Sequence, residues 1–89
     1  MNLGKVIGTV TATAKDPQLV GGKLLLADVV DAAGATVEPS VVAIDTVGAG
    51  VGDTVLIVRG SAARLPAAAA SLPIDAAIVA VVEQIAVSR

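Results

Sequence analysis

From Leu3 to Ala14 the residues alternate, with Val6, Gly8, Val10, Ala12 and Ala14 on one side and Lys5, Ile7, Thr9, Thr11 and Thr13 on the other. A period of two predicts a strand, because successive side chains leave a pleated backbone on opposite faces. Gly8 inside the run predicts a bend or bulge, and the alternate threonines predict a half-solvated face. Lys15-Asp16-Pro17 ends the strand, and Gly21-Gly22 closes the loop that follows. A second strand is predicted from Lys23 to Asp31. Its start, Leu24-Leu25-Leu26, is apolar on both faces, so one side is expected to meet the chain's own core and the other a neighbour.

Asp31-Ala32-Ala33-Gly34 supplies the chemistry of a hairpin turn. A third strand then begins near Thr36 or Val37, passes Pro39 as an edge or bulge position, and continues over Val41 to Val47. Thr54 to Arg59 forms a fourth. Gly60-Ser61-Ala62-Ala63-Arg64 predicts one helical turn with Ser61 as its cap. Leu65 to Pro73, alanine-rich between two prolines, is a short helix or a surface loop. Beyond it Asp75 is of a type that caps helices, yet Ile78-Val79-Ala80-Val81-Val82 favours a strand through about Ile85. The sum is a mainly all-β chain: a small five-stranded barrel with one short helical turn.

The two β-branched runs around residues 41 to 59 flank Gly48-Ala49-Gly50-Val51-Gly52. Glycines at alternate positions let a backbone take positive φ and come close to another backbone, since no Cβ intervenes. The close partner is a phosphate, the chain's own strands in a tight hairpin, or the same loop of another subunit. A phosphate loop leads into a helix N-terminus, or into a Lys and a hydroxyl. Here Gly52 leads into Asp53-Thr54-Val55-Leu56, a strand headed by a carboxylate. Asp45 is the one carboxylate inside the preceding run. It has no second metal ligand at useful spacing, and is expected to accept hydrogen bonds from loop amides or to pair with Arg59 or Arg64.

Composition sharpens this picture. Of the 89 residues 55% are hydrophobic, while one domain of this size buries only about 60–65% of the surface its unfolded chain exposes. The surplus must face a membrane or another protein. The longest apolar run, Ala76 to Val82, is far short of the roughly 20 residues of a spanning helix, and Gly4, Lys5, Gly8 and Thr9 interrupt any N-terminal signal core. Self-association is the expectation that remains. The chain has no His, Cys, Tyr, Trp or Phe, and so lacks the usual general bases, soft metal ligands and thiol nucleophiles. Without cysteine there is no disulfide framework, which fits the cytosol. A net charge of −2 and the missing aromatics argue against nucleic acid. No cofactor motif is present.

The stretch from Ala43 to Asp53, followed by Gly60-Ser61-Ala62-Ala63-Arg64, resembles bacterial microcompartment vertex proteins, the EutN/CcmL family. Leu3-Gly4-Lys5-Val6-Ile7-Gly8, Leu19 to Leu25 and Pro73 to Val79 are similar to further segments of that family, in the same order and spacing. Ala62 stands where relatives often carry a second serine, and Ala67 to Ala70 looks like a variable loop. The resemblance implies an oligonucleotide-binding-type barrel that assembles into a cyclic pentamer and closes the vertices of a cytoplasmic protein shell, next to hexameric shell proteins. It implies that Gly48, Ala49, Gly50, Val51 and Gly52 line a narrow opening on the five-fold axis. Asp45, Arg59, Gly60, Ser61, Ala62, Ala63 and Arg64 are then expected at the subunit boundary. Two other function classes stand beside this one: a small-molecule or nucleic-acid binding module on the same barrel, and a carboxylate enzyme built on Asp28, Asp45 or Asp53.

Overall fold

A computed structural model describes residues 1–12, 17, 22–66 and 74–89. Its strands are β1 (Asn2–Val10), β2 (Lys23–Val30), β3 (Thr36–Asp45), β4 (Thr54–Arg59) and β5 (Ala76–Val81), with a 3-10 turn at Gly60–Arg64. They close into a barrel in the order β1-β2-β3-β5-β4. All pairings are antiparallel except β3 with β5, whose contact is confined to Ile44↔Ala77 and Asp45↔Ile78. The expected end of β1 at Lys15-Asp16, the Gly21 position and most of the alanine-rich stretch lie outside the described residues.

Inward-facing Val6, Leu25, Ala27, Val29, Val41, Ala43, Val55, Ile57, Ala76 and Ile78 form the core, joined by Ala49 from the loop after β3. A second cluster lies outside the barrel wall. There Ile44, Ala77, Leu24, Val58 and Val79 are covered by Ala63 of the 3-10 turn and by Ile74. The leucine run is therefore covered as expected on one face by the core, while the neighbour on the other face of Leu24 is the chain's own turn.

The expected bulge in β1 is present, with the register shifting between Val6 and Gly8. Its consequence corrects the sequence reading, because one extra residue turns every later side chain over. Val6 faces inward opposite Ala27, but Gly8 and Val10 pair with Leu26 and Leu24 on the outer face. Pro39 also marks a bulge as expected: β3 slips against β2 between Val41 and Glu38. Ser40 there takes a left-handed φ of 59°, and its amide donates to Asp28 Oδ1 at 3.0 Å. The Asp31 turn is stapled by its own carboxylate, Oδ1 accepting from the amides of Ala33 and Ala35 at 2.9 Å each, with Gly34 at φ 89°.

Four strand ends fall short of the sequence expectation. β1 stops at Val10, whose partner Leu24 is next to the start of β2, and β2 stops at Val30, where Asp31 begins the turn. β3 stops at Asp45 instead of Val47: Thr46 N still reaches Ile78 O at 3.3 Å, but the Asp45 side chain captures the amides of Val47 and Gly48. β5 stops at Val81 instead of Ile85, its last tie being Val82 N to Thr54 O at the head of β4. Ser61 does not cap the 3-10 turn. Arg59 precedes that turn in an extended conformation, no side chain caps it, and the Gly60 amide is satisfied by Asp75 O at 2.8 Å.

Candidate functional site

The loop from Thr46 to Asp53 joins β3 to β4, which are not neighbours because β5 lies between them. The tight-hairpin reading is thereby overturned: the loop crosses one mouth of the barrel. Its path is held from four directions. Asp45 Oδ1 accepts from the amides of Val47 and Gly48 at 3.0 and 3.1 Å. Asp53 Oδ2 accepts from Gly50 N at 2.8 Å. Lys23 Nζ, at the start of β2, donates to Ala49 O at 2.6 Å and stands 3.6 Å from Asp45 Oδ2. Gly52 N donates to Val6 O at 2.9 Å, and Val6 N to Asp53 O at 3.0 Å. The Ala49 methyl is plugged into the core, while Val51 is 63% exposed.

The loop glycines differ in what requires them. Gly48 and Gly52 have φ of 81° and 95°, where an L side chain is strained. Gly50 has no positive φ, and a Cβ built on it would meet only Asp53 Oδ2, at 3.9 Å. Neither its backbone conformation nor packing against the described residues demands glycine at that position.

Asp45 behaves as expected toward the loop amides, but its ionic partner is Lys23 and neither Arg59 nor Arg64. The ladder explains this: Lys23 lies directly across from Asp45, while Arg59 ends β4 opposite Ala76. Arg59 instead holds Glu38, with Nη1 to Oε1 at 3.0 Å and Nη2 to Oε2 at 3.3 Å. That hydrogen bond, supported by the charge of Glu38, raises the guanidinium pKa above its ordinary value. The raised value strengthens the folded state only through the range where arginine is charged, and the contribution fades well above physiological pH. Because both groups are largely solvated, Glu38→Gln is expected to change stability by less than about 1 kcal/mol, with the difference shrinking in high salt in urea titrations.

The remaining boundary candidates sit on the 3-10 turn. Ala63 is buried in the second cluster, Ala62 is half-buried, and Gly60, Ser61 and Arg64 are exposed. Sequence reasoning missed Lys23 and Glu38. For Lys23 the available signal was a lone cation at a strand start opposite the end of the next strand. Each carboxylate of the enzyme reading accepts a backbone amide of the chain: Asp28 from Ser40, Asp45 from Val47 and Gly48, and Asp53 from Gly50. Among the described residues no three metal-binding side chains cluster, and no helix is long and apolar enough to cross a membrane. A surface cleft of about 350 Å³ lies between the Asp31–Gly34 turn, Lys5, Thr54 and Ile85.

The barrel and its crossing loop have close counterparts. The chain is 44% identical over 88 residues to the carboxysome shell vertex protein CcmL of Synechocystis, a match covering 99% of this chain and 88% of that protein. The solved structure of CcmL from Nostoc matches with a TM-score of 0.90 at 49% identity, over 96% of this chain and 90% of that one. GrpN from Rhodospirillum rubrum, solved as a pentameric microcompartment shell protein, matches with a TM-score of 0.86 at 40% identity over 100% of both chains. The family model described as ethanolamine utilisation protein EutN/carboxysome matches residues 1–83, a span that takes in all five strands and the loop. By that match, this chain belongs to the EutN/CcmL family.

Proposed function

We propose that the chain is one structural domain of a bacterial microcompartment shell. Five copies form a ring that closes a vertex in the cytoplasm, beside hexameric shell tiles, and the ring carries out no catalysis. Gly50 carries this reading. Among the described residues nothing explains its glycine character, whereas copies that converge on an axis meet closely only where no bulky side chain intervenes. Gly48, Gly50, Val51 and Gly52 then line the opening. Ala49 belongs to it as the inward anchor that sets the loop's height. The exposed Ser61 and Arg64 stand at the boundary with the next copy, where a guanidinium can bond a carboxylate or carbonyl. The surplus of exposed apolar side chains, among them Val37, Val42 and Val47, is what a shell tile buries on assembly.

Native mass spectrometry over a dilution series tests the ring. A five-subunit mass that persists on dilution is expected, and a monomer at every concentration rejects the reading. Gly50→Val tests the axis. A Cβ at Gly50 meets only Asp53 Oδ2 among the described residues, at 3.9 Å, so the far-ultraviolet spectrum is expected to be unchanged while the ring loses subunits or dissociates. A ring of unchanged mass and stability would remove Gly50 from the axis.

A further inference from the structure

The loop between β3 and β4 spends its polar groups on itself. At Gly50 the amide donates to Asp53 Oδ2 at 2.8 Å, and the carbonyl accepts from Asp53 N at 3.0 Å. The amides of Gly48 and Gly52 go to Asp45 Oδ1 and Val6 O, and Ala49 O is taken by Lys23 Nζ. The charged side chains around the loop are therefore engaged with its backbone. Asp45 is also only 2% exposed and stands beside Lys23. From Gly48 to Gly52, only Val51 presents a side chain to solvent. It is 63% exposed and has glycine on either side, while Ala49 is buried.

We infer that Val51 decides what enters the opening, and that the collar it forms admits small uncharged molecules and refuses ions of either sign. The inference rests on the ring reading above, which brings the loops together. An ion that enters a narrow passage sheds water and needs polar groups in its place. For an anion these are donors, and the three glycine amides of the loop are already bonded. For a cation they are oxygens, and both carboxylates and the Ala49 and Gly50 carbonyls are bonded as well. A small apolar solute needs neither, and a ring of valine side chains gives it contact. Asp53 carries the one charge at the loop that no cation offsets among the described residues. It adds to the refusal of anions and makes a cation the more searching probe.

Crystals of the assembled ring test this with two probes, xenon under pressure and a soak in caesium bromide, each located by anomalous scattering. Apolar sites bind xenon. In the parent protein xenon is expected on the ring axis at the level of Val51, with neither caesium nor bromide there. Val51→Asp is expected to reverse the pattern, gaining caesium and losing xenon. Val51→Thr keeps the shape without adding charge, and is expected to keep the ring and lose most of the xenon. Caesium or bromide on the axis of the parent overturns the inference, as does an axis that takes no xenon or a xenon peak unchanged in Val51→Thr. If unmodified protein forms no ring by native mass, it is the vertex reading that fails.

Discussion

Asp45→Ala is expected to lower the unfolding free energy by about 3 kcal/mol, since a hydrogen bond to a charged group contributes roughly 1.5–3 kcal/mol and this carboxylate accepts two. Its side chain is only 2% exposed, but the Val47 and Gly48 amides lie at exposed residues, so water recovers part of the lost bonding and the loss stays near the lower end of the sum for two such bonds. Lys23 would keep Ala49 O but lose its counter-charge. Asp45→Asn separates the two contributions. It keeps an acceptor near both amides and removes only the charge beside half-exposed Lys23, for an expected loss of about 1 kcal/mol. Urea unfolding measures stability, and native mass spectrometry measures whether the loop still supports a ring. An alanine variant within 0.5 kcal/mol of the parent, a generous allowance for a harmless surface change, would show that the loop is held by its glycines and Lys23 alone.

The second large effect lies in the core beneath β1. A Cβ on Gly4 would stand 2.5 Å from Ile57 Cδ1, 3.2 Å from Ile57 Cγ1 and 3.3 Å from Val55 Cγ2. Gly4→Val is therefore expected to cost about 3 kcal/mol as overpacking. Ile57→Ala, which empties a fully buried site, is expected to cost about 2–5 kcal/mol. Together the substitutions exchange volume across the same contact. The double variant is expected to lose about 2 kcal/mol in total, well short of the sum of the two, because volume-conserving swaps are tolerated. Circular dichroism during urea unfolding of all four proteins closes the cycle. Additive losses would mean that Ile57 already turns aside and that Gly4 is open to side chains.

The outer face of the barrel shows how a correct local reading can give a wrong global one. Gly8 was legible as a bulge, yet strict alternation still placed it with Val6. Pairing with β2 turns Gly8 and Val10 outward, and this is what brings Gly8 beside Leu26. The ion pairs failed for a related reason. Asp45 had Arg59 and Arg64 as expected partners, and only the registration of β2 against β3 put Lys23 across from it instead. The lone cation at the start of β2 was a signal only once the pairing of β2 with β3 was known.

The amino-acid sequence by itself determined the strand content, the hairpin turn at Asp31–Gly34, the bulges at Gly8 and Pro39, the helical turn at Gly60–Arg64 and the family. All of these rest on local backbone preferences or on short motifs that a linear chain displays directly. The tertiary structure alone decided that β5 inserts between β3 and β4, that the glycine loop crosses the barrel mouth with Ala49 as its plug, and that Gly50 differs from Gly48 and Gly52. It alone turned Gly8 and Val10 to the outside of the wall. Such features depend on which strands become neighbours and in what register. Pairing energy is collected between residues distant in the chain, so a local pattern permits several registers, and only simultaneous closure of the whole barrel selects one.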